Sequence, residues 1–313
     1  MGKSKVLIVG GTGYLGKRLV RASLGLGHET YVLQRAEMGV EIEKVELLLS
    51  FKKQGAHLVC ASFNDHNTLV EAVKLVDVVI SAISGVHIRS HQILLQLKLV
   101  DAIKQAGNIK RFLPSEFGTD PARMENATEP GRATFDDKMV VRKAIEEAKI
   151  PFTYISANCF AGYFLGGLCQ PGSILPSKDH VLLLGDANQK AIYVDEDDIA
   201  MYTMKTIDDP RTLNKTVYIR PPKNILSQRE VVEIWEKLIG KQLTKTSISA
   251  HQFLAKIKGE ISYAEQVGLS HYYDVCYEGC LANFEIGKDG EEACNLYPEI
   301  NYTTAEDYMK RYL

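Results

Sequence analysis

Residues 5–16 read KVLIVGGTGYLG: a run of buried-strand type, a glycine-rich turn, then the opening of a helix. Residues 6–9 are apolar and mostly branched, the composition of a central parallel strand covered on both faces. Gly10, Gly13 and Gly16 follow at G-x-x-G-x-x-G spacing. Glycine at 10 permits the tight turn, at 13 it lets backbone N–H groups approach a diphosphate, and at 16 it lets the helix pack close to the strand. The helix N-terminus then offers N–H groups and a partial positive charge to the anion. Leu15, Leu19, Val20 and Ala22 continue at helical spacing. The stretch therefore reads as a dinucleotide site built from Gly10, Gly11, Thr12, Gly13, Tyr14, Leu15 and Gly16. The bare alternative is a glycine-rich turn that binds nothing.

The next strand is expected over residues 28–33. An NAD enzyme usually ends this strand on Asp or Glu, which holds the ribose 2′-hydroxyl. Here it ends Gln34-Arg35. A carboxylate would repel a 2′-phosphate, whereas a guanidinium pairs with it, often through two hydrogen bonds. Arg35 lies 19 residues after Gly16, where the specificity residue belongs, and Lys44 lies nine further on as a second cation. The cofactor expected is NADP(H) rather than NAD(H). Glu37 is a contrary sign, being a ribose acid if the strand ends later, and Arg35 has the alternative of a solvated loop arginine.

With 313 residues the chain is long enough for a nucleotide domain and a second domain. Its 37 basic and 39 acidic residues leave a net charge of −2, which lacks the basic field of a nucleic-acid binder. The six cysteines form no C-x-x-C, so zinc and thioredoxin-type readings have no support, and free thiols in a reducing cytosol are expected. His87 and His91 would share a helix face at i, i+4, but H-E-x-x-H is absent, and no metal is expected. Residues 1–5 run straight into the first strand, which leads us to expect no targeting peptide. Val6 breaks the myristoylation pattern, and the longest apolar stretch, around 157–169, is too short and glycine-rich to span a bilayer. The expectation is a soluble, cytoplasmic chain without nucleic-acid or membrane partners.

Strands are expected over 57–61, 76–83, 109–114 and 152–156, and helices over 67–75, 88–106 and 135–149, the last capped by Thr134. Such alternation predicts an α/β fold, a Rossmann-type doubly wound parallel sheet. Past residue 160 glycine and proline break the pattern. Residues 192–194 and 217–219 read as strands returning to the main sheet, and Asp195 as the cap of a helix through Ile199. Ser227–Glu230 is a capping box, with Gly240 as the helix stop. The domains expected are an NADP-binding domain over 1–160, joined by 190–222, and a smaller, mostly helical C-terminal substrate domain over 161–189 and 223–313.

Short-chain dehydrogenases carry Tyr-x-x-x-Lys on one helix, the lysine lowering the tyrosine pKa. Here Thr134 stands where that tyrosine belongs, so Lys138 either acts directly as acid or base or belongs to a site that is not catalytic. Val140, Val141, Ala144, Ile145 and Ala148 centre the buried stripe, and Lys138 and Arg142 lie one turn apart on its flank. Two cations at i, i+4 repel, which together with burial would lower the lysine pKa and suit it to general-base work. The alternative is a lysine paired with Asp137 or Glu146 on a wet face.

PSEFG at 114–118, D-K-x-x-x-R at 137–142, ANCFAGYF at 157–164 and NFEIG at 283–287 resemble the plant isoflavone reductase-like family of atypical short-chain reductases. Phenylcoumaran benzylic ether reductases and pinoresinol–lariciresinol reductases belong to it, and residues 119–138 most closely resemble the latter branch. The resemblance implies an NADPH-dependent oxidoreductase of phenylpropanoid metabolism and lignan biosynthesis. Its substrate would be a furofuran lignan carrying phenols para to benzylic ether carbons, reduced through a quinone methide. It implies NADPH on residues 10–16, Arg35 and Lys44, Lys138 as general base, Arg142 near the cofactor and His271 beside the substrate. Met124, Tyr163, Phe164, Val267, Leu269 and Tyr272 are candidate pocket residues, each with the alternative of ordinary core. A homodimer, common in such folds, is the expected assembly. The competing readings are a phenylcoumaran ether or isoflavone reductase with the same apparatus, and a non-catalytic NADP(H)-binding redox sensor, against which Lys138 and Arg142 argue.

Overall fold

The computed structural model of the chain describes residues 2–34, 41–87 and 91–313. Strands and helices alternate from the start: β1 (Val6–Val9), α1 (Gly16–Gly25), β2 (Thr30–Gln34), α2 (Ile42–Lys53), β3 (His57–Cys60), α3 (His66–Lys74), β4 (Val78–Ser81), α4 (Gln96–Ala106), β5 (Arg111–Leu113), α5 (Arg132–Glu147) and β6 (Thr153–Ser156). Then come β7 (Cys159–Phe160), α6 (Ala161–Phe164), β8 (His180–Leu184), β9 (Lys190–Val194), α7 (Glu196–Thr206), β10 (Lys215–Tyr218), β11 (Ile225–Ser227), α8 (Gln228–Ile239), β12 (Thr244–Ile248), α9 (Ala250–Ile257) and α10 (Tyr263–Cys276). A short strand over Gly290–Glu292 and short helices over Ala293–Leu296 and Ala305–Met309 follow.

By internal contacts the chain forms two units of nearly equal size. The first comprises Met1–Glu116, Asp137–Ile155 and Ala200–Val217, the second Phe117–Asp136, Ser156–Ile199 and Tyr218–Leu313. Beyond 161–189 and 223–313, the second unit thus also takes in 117–136, 156–160, 190–199 and 218–222.

The first unit is a five-stranded sheet in the order β3-β2-β1-β4-β5, with every described pairing parallel. A single parallel bridge, Phe112 to Phe152, links β5 to the segment entering β6. All four residues of β1 are buried. Leu7 and Val9 join a core with Leu69, Val73, Leu99, Ile103, Phe112, Val141 and Ile145, while Val6 and Ile8 face the other way, as strand alternation requires. Covering on both faces is what an all-parallel sheet needs. The strand order reverses between β1 and β4, and open sheets of this type bind ligands beyond the carboxyl ends of the strands at that reversal.

In the second unit β9 pairs in parallel with β7 and antiparallel with β11, and β8 pairs in parallel with β12. Helices here carry local start signals. Ser227, Ser249 and Ser262 each open a helix with a reciprocal capping box, on Glu230, Gln252 and Glu265 respectively. Gly240 ends α8 in the left-handed conformation at φ 65°, as expected of a C-terminal glycine.

Four expectations are corrected. Val140, expected in the buried stripe of α5, is exposed, while Val141 and Ile145 are buried. The strand at 190–194 joins β7 and β11 in the second unit rather than the five-stranded sheet; an apolar run does not specify which sheet it enters. The strand at 215–218 does come back beside β6, on the side of the sheet that the Phe112–Phe152 bridge ties to β5. Thr134 does not cap α5. The turn at 128–130 already supplies carbonyl acceptors to the N–H groups of Arg132 and Ala133, so the helix starts three residues earlier, at Arg132. The helix expected over 88–106 begins only at Gln96, after a tighter turn at Ile93–Leu95, and its positions 88–90 lie outside the described residues.

Candidate active site

The glycine turn joins β1 to α1. Gly10 has φ 80°, and a side chain there would meet the Ala82 carbonyl oxygen at 2.7 Å, so the turn lies against the chain leaving β4. A side chain at Gly16 would overlap the Gly10 carbonyl, which is why the helix can start so close to the strand. Gly13 differs. Among the described residues its Cβ would meet only the Gly10 oxygen, at 3.1 Å, and nothing else within 4 Å. Gly10 and Gly16 are therefore demanded by the chain itself, whereas Gly13 borders open space. Leu15, the residue before α1, makes no capping side-chain bond, and the first turn of α1 contains no acidic residue. A helix start without a side-chain cap or acid, behind a turn with glycine at 10, 11 and 13, fits a diphosphate. Arg18 bonds the Tyr14 carbonyl at 2.7 Å and lies over its ring at 4.5 Å, fixing the turn's far side.

Of the two cations expected for a 2′-phosphate, Arg35 lies outside the described residues, as does Glu37. Lys44 is paired with Glu41, its Nζ lying 2.5 and 2.6 Å from the carboxylate oxygens. It would have to share or exchange this partner to reach a phosphate.

Lys138 and Arg142 converge on one residue. The Lys138 Nζ donates to the Glu116 main-chain carbonyl at 2.7 Å. Arg142 Nε and Nη2 donate to the two Glu116 carboxylate oxygens at 3.0 and 2.7 Å. All three residues are buried, 7%, 5% and 6% exposed respectively. The guanidinium also lies 4.1 Å over the Tyr154 ring, whose hydroxyl is pushed well above its ordinary range by burial and by Glu146. Glu116 stands three residues beyond β5, in a turn held by Ser115. The Ser115 hydroxyl donates to the Ile83 carbonyl at 2.6 Å, and its N–H donates to Gln96 Oε1 at 2.6 Å. The next residue, Phe117, takes φ 37°.

This geometry corrects one sequence expectation and decides another. Arg142 does not act on Lys138 as a bare neighbouring cation, because Glu116 neutralises it. Lys138 does not lie on a wet face beside Asp137 or Glu146: it is buried, Asp137 bonds His91, and Glu146 accepts from Tyr154. A carbonyl accepts from an ammonium and from a neutral amine alike, so the Glu116 contact holds Nζ in either protonation state.

His87 and His91 do not share a helix face. His87 lies in a turn, and the two rings stack at 4.0 Å. Burial, and then the charge of His91, lowers the His87 pKa. Among the described residues no group of three His, Cys, Asp or Glu side chains is arranged to hold a metal, and no helix is long and apolar enough to cross a membrane.

The residues expected around the substrate all belong to the second unit. His271 lies on α10, its Nε2 3.0 Å from the Gly131 carbonyl oxygen and its ring 5.0 Å from that of Phe135. A side chain at Gly131 would meet Ser270 Cβ at 2.7 Å and His271 Cδ2 at 2.9 Å, so α10 requires a glycine there. Val267 and Leu269 are buried on α10, and Met124 is buried with Ala127 and Phe135. Phe164 packs on Tyr272 at 4.9 Å, and the Tyr272 hydroxyl donates to the Tyr163 carbonyl at 3.3 Å. Three features escaped sequence reasoning: the anchoring role of Glu116, the His91–Asp137 contact, and Asp274. Asp274 accepts from the Thr128 N–H and hydroxyl at 3.0 and 2.6 Å, and burial raises its pKa. Only Glu116 left a trace in the sequence, as the lone charge in the otherwise uncharged run FLPSEFG.

The sequence model of the NmrA-like family matches residues 2–309. The chain is 78% identical over 311 residues to the bifunctional pinoresinol-lariciresinol reductase 2 of Linum usitatissimum, covering 99% of this chain and 94% of the relative. It is 77% identical to the bifunctional pinoresinol-lariciresinol reductase of Linum corymbulosum, covering 99% and 98%. A solved structure, AtPrR2 with NADP+ and (+)pinoresinol, is 58% identical with a TM-score of 0.97 and covers 100% of both chains.

Proposed function

We propose that this chain, which belongs to the NmrA-like family, is an NADPH-dependent reductase that opens the benzylic ether rings of furofuran lignans. Pinoresinol would give lariciresinol, and a second cycle would give secoisolariciresinol. One observation carries the reading: a buried lysine, held through Nζ by the carbonyl beyond β5, in a chain 78% identical along its length to a relative named for these two reductions. The cofactor is assigned to Gly10, Gly11, Thr12, Gly13, Tyr14, Leu15 and Gly16, with Arg35 and Lys44 toward the 2′-phosphate and Arg142 nearby.

An ether oxygen is a poor leaving group for direct displacement. Lys138, as the neutral amine, takes the proton of the substrate's phenol. The phenolate electrons move through the ring and break the para benzylic C–O bond. The oxygen departs as an alkoxide and takes up a proton, leaving a quinone methide that is electrophilic at the benzylic carbon. Bound NADPH supplies a hydride. Once that carbon is reduced the ring is aromatic again, and the Lys138 ammonium returns its proton to the phenolate. Each cycle consumes one NADPH and one proton and converts one ether into an alcohol. Arg142 and Glu116 keep the carbonyl that orients Nζ in place. Contacts to the aryl rings are assigned to His271, Phe164, Met124, Val267, Leu269 and Tyr272. We place the enzyme in the cytoplasm as a homodimer.

The test is NADPH consumption with racemic pinoresinol and chiral analysis of the products, run beside a phenylcoumaran and an isoflavone. Turnover of pinoresinol to lariciresinol and secoisolariciresinol is expected. Faster turnover of either other substrate would move the assignment to a sister activity, and NADPH binding without oxidation of any would leave a sensor.

A further inference from the structure

His91 has an acceptor at each ring nitrogen. Nδ1 lies 3.2 Å from the Gly85 carbonyl oxygen, and Nε2 lies 2.5 Å from Asp137 Oδ2. A neutral imidazole has one N–H and one lone pair, so it would turn a lone pair toward one of these oxygens. With Asp137 as a carboxylate, both contacts are satisfied together when the ring carries both protons; with Asp137 protonated, a neutral ring satisfies them. The pair is sheltered, with side-chain exposures of 16% and 29%. One face of the ring is covered by His87.

The placement of this pair gives it a role. The chain leaving β4 lies against the glycine turn at Ala82 and is tied to the Lys138 anchor segment at Ile83, through Ser115. It closes on itself where the Gln92 N–H donates to the Ser84 carbonyl at 2.9 Å. Asp137 immediately precedes Lys138 on α5. Ala82 therefore lies against the glycine turn, and His91 meets the residue before the lysine. We infer that the His91–Asp137 ion pair is a positioning device that fixes the lysine helix relative to the cofactor-side loop, so that Lys138 is held in register for proton abstraction. This inference rests on Lys138 being the base.

The pair is tested by His91→Ala, Asp137→Asn and the double variant, with kcat, KM for NADPH and cofactor affinity by fluorescence measured separately. Misplacing a catalytic group by about 1 Å costs up to ~100-fold, so each single variant should lose about ten- to a hundredfold in kcat. Cofactor affinity should stay within about twofold, and the double variant should lose no more than the worse single one, as coupled partners do. His91→Gln, whose amide can still donate to Asp137, should recover part of the rate. Unchanged kcat in the single variants, or losses that multiply in the double, would overturn the pair. If a variant fails to fold, 15N NMR of the parent histidine rings decides: both His91 nitrogens protonated supports the ion pair, and one bare nitrogen contradicts it. Should the parent bind NADPH yet reduce no lignan, the activity assignment fails by itself, and the same NMR signature still judges the ion pair.

Discussion

Lys138 Nζ and the main-chain oxygen of Glu116 lie 2.7 Å apart, and the side chain of the same glutamate grips Arg142 through both carboxylate oxygens. One residue thus serves two cations by two different groups. The carboxylate cancels the arginine charge, and the carbonyl orients the lysine without adding charge beside it. A base that must take up and return a proton is served by a partner indifferent to its protonation state.

Lys138→Ala removes the proposed base and leaves the glycine turn alone. It should bind NADPH within a few-fold of the parent while kcat falls by about 10²–10⁴. Equilibrium fluorescence for binding and NADPH absorbance for turnover separate the two, and a turnover close to the parent's would exclude Lys138 as base.

The three glycines should part company. Gly16→Ala drives a methyl into the Gly10 carbonyl and should disrupt the turn and lower the melting temperature sharply. Among the described residues Gly13→Ala faces only the Gly10 oxygen at 3.1 Å. It should melt within a few degrees of the parent but weaken NADPH binding by about tenfold or more, since close backbone approach to the diphosphate is lost. Equal loss of stability in both variants would contradict an anion site at 13.

Glu116→Gln takes away the carboxylate that Arg142 bonds through two of its nitrogens. Removing one partner of a buried pair costs about 3–5 kcal/mol, and the retained amide oxygen should keep the loss near the lower end. Urea unfolding reads it. Adding Arg142→Met should recover part of the loss, because the guanidinium that lost the carboxylate is then gone. If the double variant is weaker than the single, the buried pair is not the source of the effect.

A pH-dependent term comes from Asp198, at the start of α7. Burial raises its carboxyl from the ordinary 3.8 to about 6, with the Thr303 N–H acting in the opposite direction and Asp195 adding to the rise. The folded chain therefore holds this proton more tightly than the unfolded chain. Stability contributed by the protonated form is full below about pH 4 and is lost as pH rises through about 6. Asp198→Asn should leave the melting temperature unchanged near pH 4 and raise it near pH 8, where the added stability is on the order of 1–2 kcal/mol after allowance for its partial exposure. An equal effect at both pH values would rule out the titration.

Much of the frame was legible in the sequence because it is encoded locally. The glycine turn, the apolar run of β1 and the Ser227–Glu230 box with its Gly240 stop are each specified within a few residues, and each appears where its residues place it. The strand expected at 57–61 is found over His57–Cys60. What escaped depends on residues distant in sequence. Glu116 meets Arg142 across 26 positions and His91 meets Asp137 across 46, and no local pattern announces either. The helix wheel put Lys138 and Arg142 on one flank, but the carboxylate that reverses their mutual repulsion comes from another element. The strand at 190–194 was recognisable as a strand, yet its partners β7 and β11 are short and leave little pattern.

The most direct measurement compares pinoresinol with its phenolic dimethyl ether in NADPH oxidation by the parent enzyme. Methyl caps leave the scissile ether and the aryl surface in place but remove the proton that Lys138 must take. The capped lignan should bind and give no NADPH oxidation above background, while pinoresinol is reduced. Reduction of the dimethyl ether at the rate of the parent substrate would mean that the ether opens without phenol ionisation, and Lys138 would then have no proton to abstract.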